Sequence, residues 1–141
     1  MTPCRRTLLL GLATGLAARP AAAQAEPLHR KPIPSSGEMI PIIGLGSARR
    51  YEEANTEADI APLRETFARF QALGGTVVDT APSYGNAEAI MGRIMADLNI
   101  RRDLFVCTKV GVDTPEQGRA QIAQAFEKLR TDRIDLLAVH N

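Results

Sequence analysis

Four residues that can carry acid–base chemistry stand at or just beyond the ends of apolar runs in this chain. Asp79 ends one short apolar run, and Tyr84 follows five residues later, inside a turn that leads into a helical pattern. Lys109 and His140 end two later apolar runs in the same way. An acid, a phenol, an amine and an imidazole can between them donate, accept and hold protons. We therefore interpret the four residues as one candidate catalytic site.

The segments that must position these residues alternate between strand and helix patterns. Apolar runs typical of buried strands occupy residues 42–46, 76–79, 104–109 and 134–140. Between them, apolar residues recur every three or four positions, which predicts helices. Residues 31–41 carry prolines in two arms around a Ser-Ser-Gly turn, and this arrangement predicts a short hairpin before the first of the four strands.

The strict alternation predicts an α/β fold in which helices cover a parallel sheet. Two architectures fit: an open doubly wound sheet, or the N-terminal half of a (β/α)8 TIM barrel with four parallel strands and three helices. A whole barrel takes about 250 residues, whereas this chain has 141. In parallel α/β sheets the carboxyl ends of the strands share one edge, so we expect the four candidate residues to meet there. Each of them alone also has an ordinary structural explanation, as a turn, packing, solvated or core residue.

Helix boundaries are predicted from capping residues. The first helix is expected to begin near Ile60, with Pro62 in its first turn. Asn86 is expected to cap the second helix, and Thr114 is expected to open a capping box for the third. The polar residues 47–59 predict an irregular loop ahead of the first helix.

The chain stops one residue after the fourth predicted strand, and no helix follows to cover that strand. An uncovered strand edge promotes pairing with other chains. We therefore expect the sequence to be a truncated N-terminal portion of a longer barrel, and a gene-model fragment is an alternative explanation.

Residues 1–25 have the features of a signal peptide. An arginine pair precedes an apolar run too short to cross a bilayer, and small residues just before Glu26 form a cleavage site. The arginine pair is similar to a twin-arginine export signal, and Sec export is the alternative. Residues 26–141 would then form the mature domain, which we expect in the periplasm without stable membrane insertion.

Charge and cysteine content exclude several classes of function. Residues 26–141 carry 14 basic and 16 acidic side chains, without the clustered Lys and Arg of a nucleic-acid surface. Beyond the signal peptide Cys107 is the one cysteine, so no internal disulfide and no metal site are expected. Cys107 lies in an apolar run and is interpreted as a small, buried hydrophobic residue. The Gly-Leu-Gly of residues 44–46 lacks the third glycine of a dinucleotide-binding loop.

The chemistry-bearing residues occur in a pattern that resembles the aldo/keto reductase family across essentially the whole mature chain. Its most specific piece is an Asp-x4-Tyr-Gly-Asn-x-Glu segment that is followed by a later Lys and a later His. The matching segments read IPSSGE at 33–38, GLG at 44–46, DTAPSYGNAE at 79–88, TK at 108–109 and IDLLAVHN at 134–141.

The resemblance implies a (β/α)8 barrel that reduces an aldehyde or ketone with hydride from NADPH. The family's catalytic tetrad falls on Asp79, Tyr84, Lys109 and His140, with Tyr84 as the proton donor. A cationic Lys109 would favour the phenolate, and Asp79 would hold that ammonium in place. His140 would donate to the substrate carbonyl and orient it.

The resemblance also bears on the cofactor and on what the chain does alone. Asp79, Ser47 and Asn141 are the expected cofactor contacts within this sequence, and the expected partner is a small carbonyl substrate. In the family, most nicotinamide and phosphate contacts come from the second half of the barrel, so the 141-residue chain is expected to be inactive alone. The alternative function is a non-catalytic barrel that binds nucleotide as a sensor or partner subunit.

Overall fold

The elements that place the candidate site lie within residues 27–141, the part of the chain that the computed structural model describes. The signal peptide predicted for residues 1–25 lies outside these residues. No helix in the described part is both long and apolar enough to span a membrane. In chain order the elements are β1 (Arg30–Pro32), β2 (Met39–Pro41), β3 (Gly44–Gly46), α1 (Glu57–Ala72), β4 (Val77–Asp79), α2 (Ala87–Leu98), a 3-10 turn (Arg101–Asp103), β5 (Phe105–Val110), α3 (Pro115–Leu129) and β6 (Leu136–Val139).

β1 and β2 form the hairpin that the sequence predicts. They pair in antiparallel register, with Arg30 opposite Pro41 and Pro32 opposite Met39. The turn between them contains Gly37 at a φ of 75°, a left-handed conformation that glycine adopts without steric cost. The two prolines stand at opposite ends of a two-stranded ladder, where the missing N–H interrupts no central pairing.

β3, β4, β5 and β6 form one parallel sheet in which the spatial order of the strands is their order along the chain. In this register Gly46 pairs with Asp79, Asp79 with Cys107, and Lys109 with Ala138. A doubly wound sheet reverses its strand order at a switch point, and the described sheet contains no such reversal. The fold is therefore α/β and a partial (β/α)8 barrel, and the doubly wound alternative is excluded.

α1 begins at Glu57, three residues before the predicted start at Ile60. The prediction was wrong because a capping box precedes it. The Thr56 hydroxyl accepts a hydrogen bond from the Asp59 N–H (3.2 Å), and the Asp59 carboxylate accepts one from the Thr56 N–H (3.0 Å). Hydrogen bonds from Thr56, chiefly from its hydroxyl, hold the pKa of the Asp59 carboxyl below its ordinary value. Pro62 consequently lies in the second turn, where its ring removes one helical hydrogen bond.

α2 and α3 pack against each other, and the core lies between the helices and the sheet. Thr114 caps α3, because its hydroxyl accepts the Gln117 N–H at 3.3 Å. The predicted capping box is only half formed, since the Gln117 side chain does not bond back to the Thr114 N–H. Cys107 is buried in β5, as the apolar run predicts. The core includes the fully buried side chains of Phe67, Val78, Met91, Ile94, Val106 and Leu129.

Gly92 lies where α2 packs tightly against the end of α3, and this close contact leads to a testable prediction. A Cβ atom there would collide with the Lys128 carbonyl oxygen and lie 2.7 Å from the backbone of Leu129. Both obstacles are backbone, so the helices would have to separate. We expect Gly92→Ala to lower the free energy of unfolding by about 1–3 kcal/mol, measured by urea denaturation.

Gly118 provides the matched control, since it is a glycine inside α3 with room for a methyl group. A Cβ atom there would meet only Val110 and Val112 at 3.8 Å, which is ordinary contact. Gly118→Ala should therefore raise stability by about 0.4–1 kcal/mol, because alanine has less backbone freedom to lose in a helix. Equal effects of the two substitutions would contradict this account of the helix contact.

Candidate active site

An ion pair joins the ends of β4 and β5. Lys109 Nζ donates to both carboxylate oxygens of Asp79, at 2.8 and 2.7 Å, and to the carbonyl oxygen of Thr80 at 2.8 Å. The Lys109 side chain is largely buried, whereas the Asp79 side chain is 46% exposed. The carboxylate thus holds the ammonium in one position at the carboxyl edge of the sheet, where the predicted site lies.

Tyr84 stands beside this ion pair on the loop between β4 and α2. Lys109 Nζ lies 5.1 Å from the centroid of the Tyr84 ring, which is within the range of a cation–π contact. The ring of His140 meets the Tyr84 ring edge-on, with 5.7 Å between centroids and 84° between planes. The Tyr84 ring therefore lies against both the amine and the imidazole.

His140 follows the last residue of β6 and is fixed by its own backbone and ring. The backbone N–H of His140 donates to the carbonyl oxygen of Val110 at 2.8 Å, which continues the β5–β6 pairing by one residue. Its Nδ1 lies 3.2 Å from the hydroxyl of Ser83, the residue before Tyr84. This contact leaves Nε2 as the nitrogen available to another group.

The structure thus brings together all four candidates that the sequence places at strand ends, and their catalytic roles stay predictions. Sequence reasoning missed the Ser83 hydroxyl and the Thr80 carbonyl. Ser83 could have been suspected from its place next to Tyr84 in the turn. The Thr80 contact had no sequence signal, because any residue would offer the same carbonyl.

Asp135 holds the strand that leads to His140. Its carboxylate accepts the backbone N–H of Val106 (2.8 Å) and the guanidinium of Arg101 (3.1 Å), and its other oxygen is 2.7 Å from Arg133 Nε. The Asp135 side chain thus ties the residue before β6 to β5, in addition to the backbone hydrogen bond from the Asp135 N–H to the Val106 carbonyl oxygen (2.9 Å).

Residues 47–59 were predicted to be an irregular polar loop, and the structure shows that part of it is buried against the Tyr84 loop. Tyr51 is 3% exposed, and burial raises the pKa of its phenol to about 12. A Cβ atom on Gly85 would lie 2.8 Å from the carbonyl oxygen of Glu52, and Gly85 has a φ of 49°. Only glycine fits where the two loops approach each other this closely.

Asn86 joins the same two loops, and its predicted role as the cap of α2 was wrong. Its backbone is helical rather than extended, and its side chain makes no capping hydrogen bond. Instead the side-chain amide donates to the carbonyl oxygen of Ala54 at 3.3 Å, and the backbone N–H donates to that of Glu52 at 3.1 Å. The side chain is used to hold a loop 32 residues away along the chain.

This difference is testable because aspartate caps helices as well as asparagine does but cannot donate to a carbonyl. We expect Asn86→Asp to lower the free energy of unfolding by about 1 kcal/mol, as Asn86→Ala should. Urea denaturation measures both. An Asn86→Asp variant at least as stable as the parent would restore the capping role.

Ser47 and Asn141, the two further predicted cofactor contacts, lie at the same edge of the sheet. Ser47 is fully buried, its N–H donates to the Asp79 carbonyl at 3.0 Å, and its hydroxyl has no hydrogen-bond partner among residues 27–141. Asn141 is exposed, with a φ of 64°. It lines a cavity of about 470 Å³ with His140 and the loop that follows β5. Contact of either residue with a cofactor stays a prediction.

Comparison with known proteins identifies the family of this chain. A model described as the Aldo/keto reductase family matches residues 42–141. An aldo-keto reductase of Mycobacterium avium (strain 104) is 35% identical over 106 residues, which are 72% of this chain and 33% of that protein. An aldo-keto reductase of Mycobacterium leprae (strain TN) is 33% identical over 105 residues, 72% of this chain and 34% of that protein. The chain spans about a third of the length of these curated relatives.

Solved structures agree in fold. A putative aldo-keto reductase from Pseudomonas aeruginosa superposes with a TM-score of 0.70 at 24% identity, over 79% of this chain and 46% of that one. A Bombyx mori aldo-keto reductase in complex with NADP superposes with a TM-score of 0.60 at 28% identity, over 82% of this chain and 39% of that one. The described sheet and helices therefore correspond to part of the barrel in these proteins.

Proposed function

This chain belongs to the aldo/keto reductase family, and from that premise we propose that it forms the catalytic rim of an NADPH-dependent carbonyl reductase. The substrate would be a small aldehyde or ketone, and Tyr84 would supply the proton that the carbonyl oxygen receives. The observation that carries the proposal is the set of contacts in which Tyr84 lies against both Lys109 and His140 while Asp79 holds the amine.

The roles of the residues follow from their contacts. Phenols are weak acids, and a cation close to the ring favours the phenolate that remains after proton transfer. Lys109 supplies that cation, and Asp79 keeps it beside the ring. In the tautomer in which His140 Nδ1 accepts the Ser83 hydroxyl, Nε2 carries the proton and can donate to the substrate oxygen and orient the carbonyl.

The residues present fit a nicotinamide cofactor in the chemistry of their donors. Buried hydroxyls of Ser47 and Thr80, just beyond β3 and β4, have no hydrogen-bond partner among residues 27–141, and buried polar groups normally have one. Ser47 and the half-exposed carboxylate of Asp79 would hold polar groups of the nicotinamide and its ribose. The cofactor, when bound, supplies the hydride. The complex of the Bombyx mori relative with NADP supports the choice of the phosphorylated cofactor.

A steady-state assay on the protein at its natural length tests the proposal. The protein is incubated with NADPH and a panel of small aldehydes and ketones, and the loss of NADPH absorbance is followed, with NADH in parallel. We expect turnover of at least one carbonyl, faster with NADPH. Tight nucleotide binding without turnover of any panel member would favour the non-catalytic sensor or partner subunit instead.

A further inference from the structure

A buried hydrogen bond links α2, the helix that follows Tyr84, to β5, the strand that carries Lys109. The Thr108 hydroxyl donates to Glu88 Oε1 at 2.8 Å, and both side chains are almost fully buried, Glu88 at 2% exposure. The other carboxylate oxygen of Glu88 is 3.9 Å from Lys128 Nζ on α3. One carboxyl group therefore links α2, β5 and α3 on the helix side of the sheet.

The two bonded residues are close in sequence to the two groups whose separation matters for the chemistry. Glu88 lies in the first turn of α2, four residues after Tyr84, and Thr108 immediately precedes Lys109. Successive residues of a strand point to opposite faces. A bond that fixes Thr108 on the helix side also fixes the peptide that presents Lys109 on the other side. The Glu88–Thr108 bond thus connects the helix after the phenol to the strand that carries the amine.

Burying a carboxyl group costs free energy, so packing alone does not explain why Glu88 occupies this position. Burial raises the pKa of the Glu88 carboxyl, while the Thr108 hydroxyl and Lys128 offset part of that shift. An apolar side chain of similar volume would fill the same space without desolvating a carboxyl. The Glu88 carboxyl group instead fixes the geometry of its contact, since a hydrogen bond sets a distance and an angle and an apolar contact does not.

We propose that Glu88 is a positioning residue that acts through Thr108 to set the distance between the Tyr84 phenol and the Lys109 ammonium. The inference rests on the proposed function for its effect on turnover. Glu88 touches neither of the two groups and contributes no proton. It keeps β5 and the start of α2 in one relative placement, and a displacement of about 1 Å at a reacting centre can lower the rate by about a hundredfold.

Three substitutions separate this role from general packing. Thr108→Val keeps the shape of the side chain and removes the donated proton, Thr108→Ser keeps the hydroxyl, and Glu88→Gln keeps an acceptor oxygen. In the protein at its natural length we expect Thr108→Val to lower kcat by about tenfold to a hundredfold with little change in KM for the carbonyl. Thr108→Ser and Glu88→Gln should retain most of the parent kcat, because each keeps the hydrogen bond.

Met95→Ala is the control for a loss of stability alone, since Met95 is a buried residue of α2 without a polar contact to the site. It should lower the melting temperature while the folded protein keeps its kcat. The cross-peak between the Tyr84 ring and the Lys109 side chain in NMR spectra is the second readout. It should weaken in Thr108→Val and persist in the other three variants.

The outcomes distinguish the positioning role from the proposed function. A Thr108→Val variant with an unchanged cross-peak and parental kcat would overturn the positioning role. Parental protein that reduces no carbonyl would defeat the proposed function, and the cross-peak would still decide the role of Glu88. A fall in kcat that Met95→Ala reproduces at equal loss of stability would reduce the bond to a structural one.

Discussion

Turnover should fall by about a hundredfold to ten-thousandfold when Tyr84 is replaced by Phe, the range that a positioned proton donor contributes. The substitution removes one oxygen and leaves the ring that contacts Lys109 and His140. The carbonyl oxygen would then lack its proton source at the moment when negative charge develops on it. Steady-state kinetics on the protein at its natural length measures the loss, and fluorescence titration with NADPH should show unchanged cofactor affinity.

Tyr51 provides the matched control, because the sequence contains two tyrosines and this is the other one. Its hydroxyl is buried and has no hydrogen-bond partner among the described residues. Removing an unpaired buried hydroxyl costs nothing in hydrogen bonding, so Tyr51→Phe should keep full turnover and equal or greater stability. Parental turnover in Tyr84→Phe would dismiss Tyr84 as the acid.

The second large effect is expected at Lys109, whose replacement by Met should lower kcat by about 10²–10³-fold. Methionine has a similar length and no charge, so the phenol loses its neighbouring cation. The same substitution leaves the Asp79 carboxylate and the Thr80 carbonyl without their donor. Circular dichroism should show the parental fold, because the Asp79 side chain is open enough to solvent to be hydrated.

Asp79 and Lys109 should behave as one unit, which gives this prediction its internal control. Asp79→Asn removes the charge that holds the ammonium and should also lower kcat. Residues that act as a unit show strongly non-additive effects, so the double variant should be little slower than Lys109→Met alone. Losses that multiply in the double variant would mean that the two side chains act independently.

The positions of the four site residues could be predicted because they depend on two rules with few exceptions. An apolar run that ends in Asp79 or Lys109 marks the end of a buried strand, and parallel strands present these ends at one edge. The contact between Lys109 and Asp79 follows because β4 and β5 are adjacent and Lys109 lies two residues beyond Cys107, the register partner of Asp79, on the same face of the sheet. The family pattern in residues 79–88 added Tyr84, which lies in the loop after β4 rather than at a strand end.

The details that sequence reasoning missed depend on partners that are distant in the chain. Asn86 has the residue type and the position of a cap, yet its side-chain amide donates to the carbonyl oxygen of Ala54 and makes no capping hydrogen bond. Thr56 was not predicted as the cap of α1 because the position of Pro62 favoured a later start of the helix. The Glu88–Thr108 bond joins two residues of the family segments that lie 20 positions apart, and neither periodicity nor spacing indicates that they meet.

The three hydrogen bonds of Lys109 have a consequence for covalent side reactions. Aldehydes condense with free amines to imines, and this requires a nitrogen lone pair. An ammonium whose three protons all go to Asp79 and the Thr80 carbonyl has no lone pair to offer and no proton left for a substrate. Under the proposed function the amine would therefore act as a fixed charge beside Tyr84, and an electrophilic substrate could bind next to it without forming an imine.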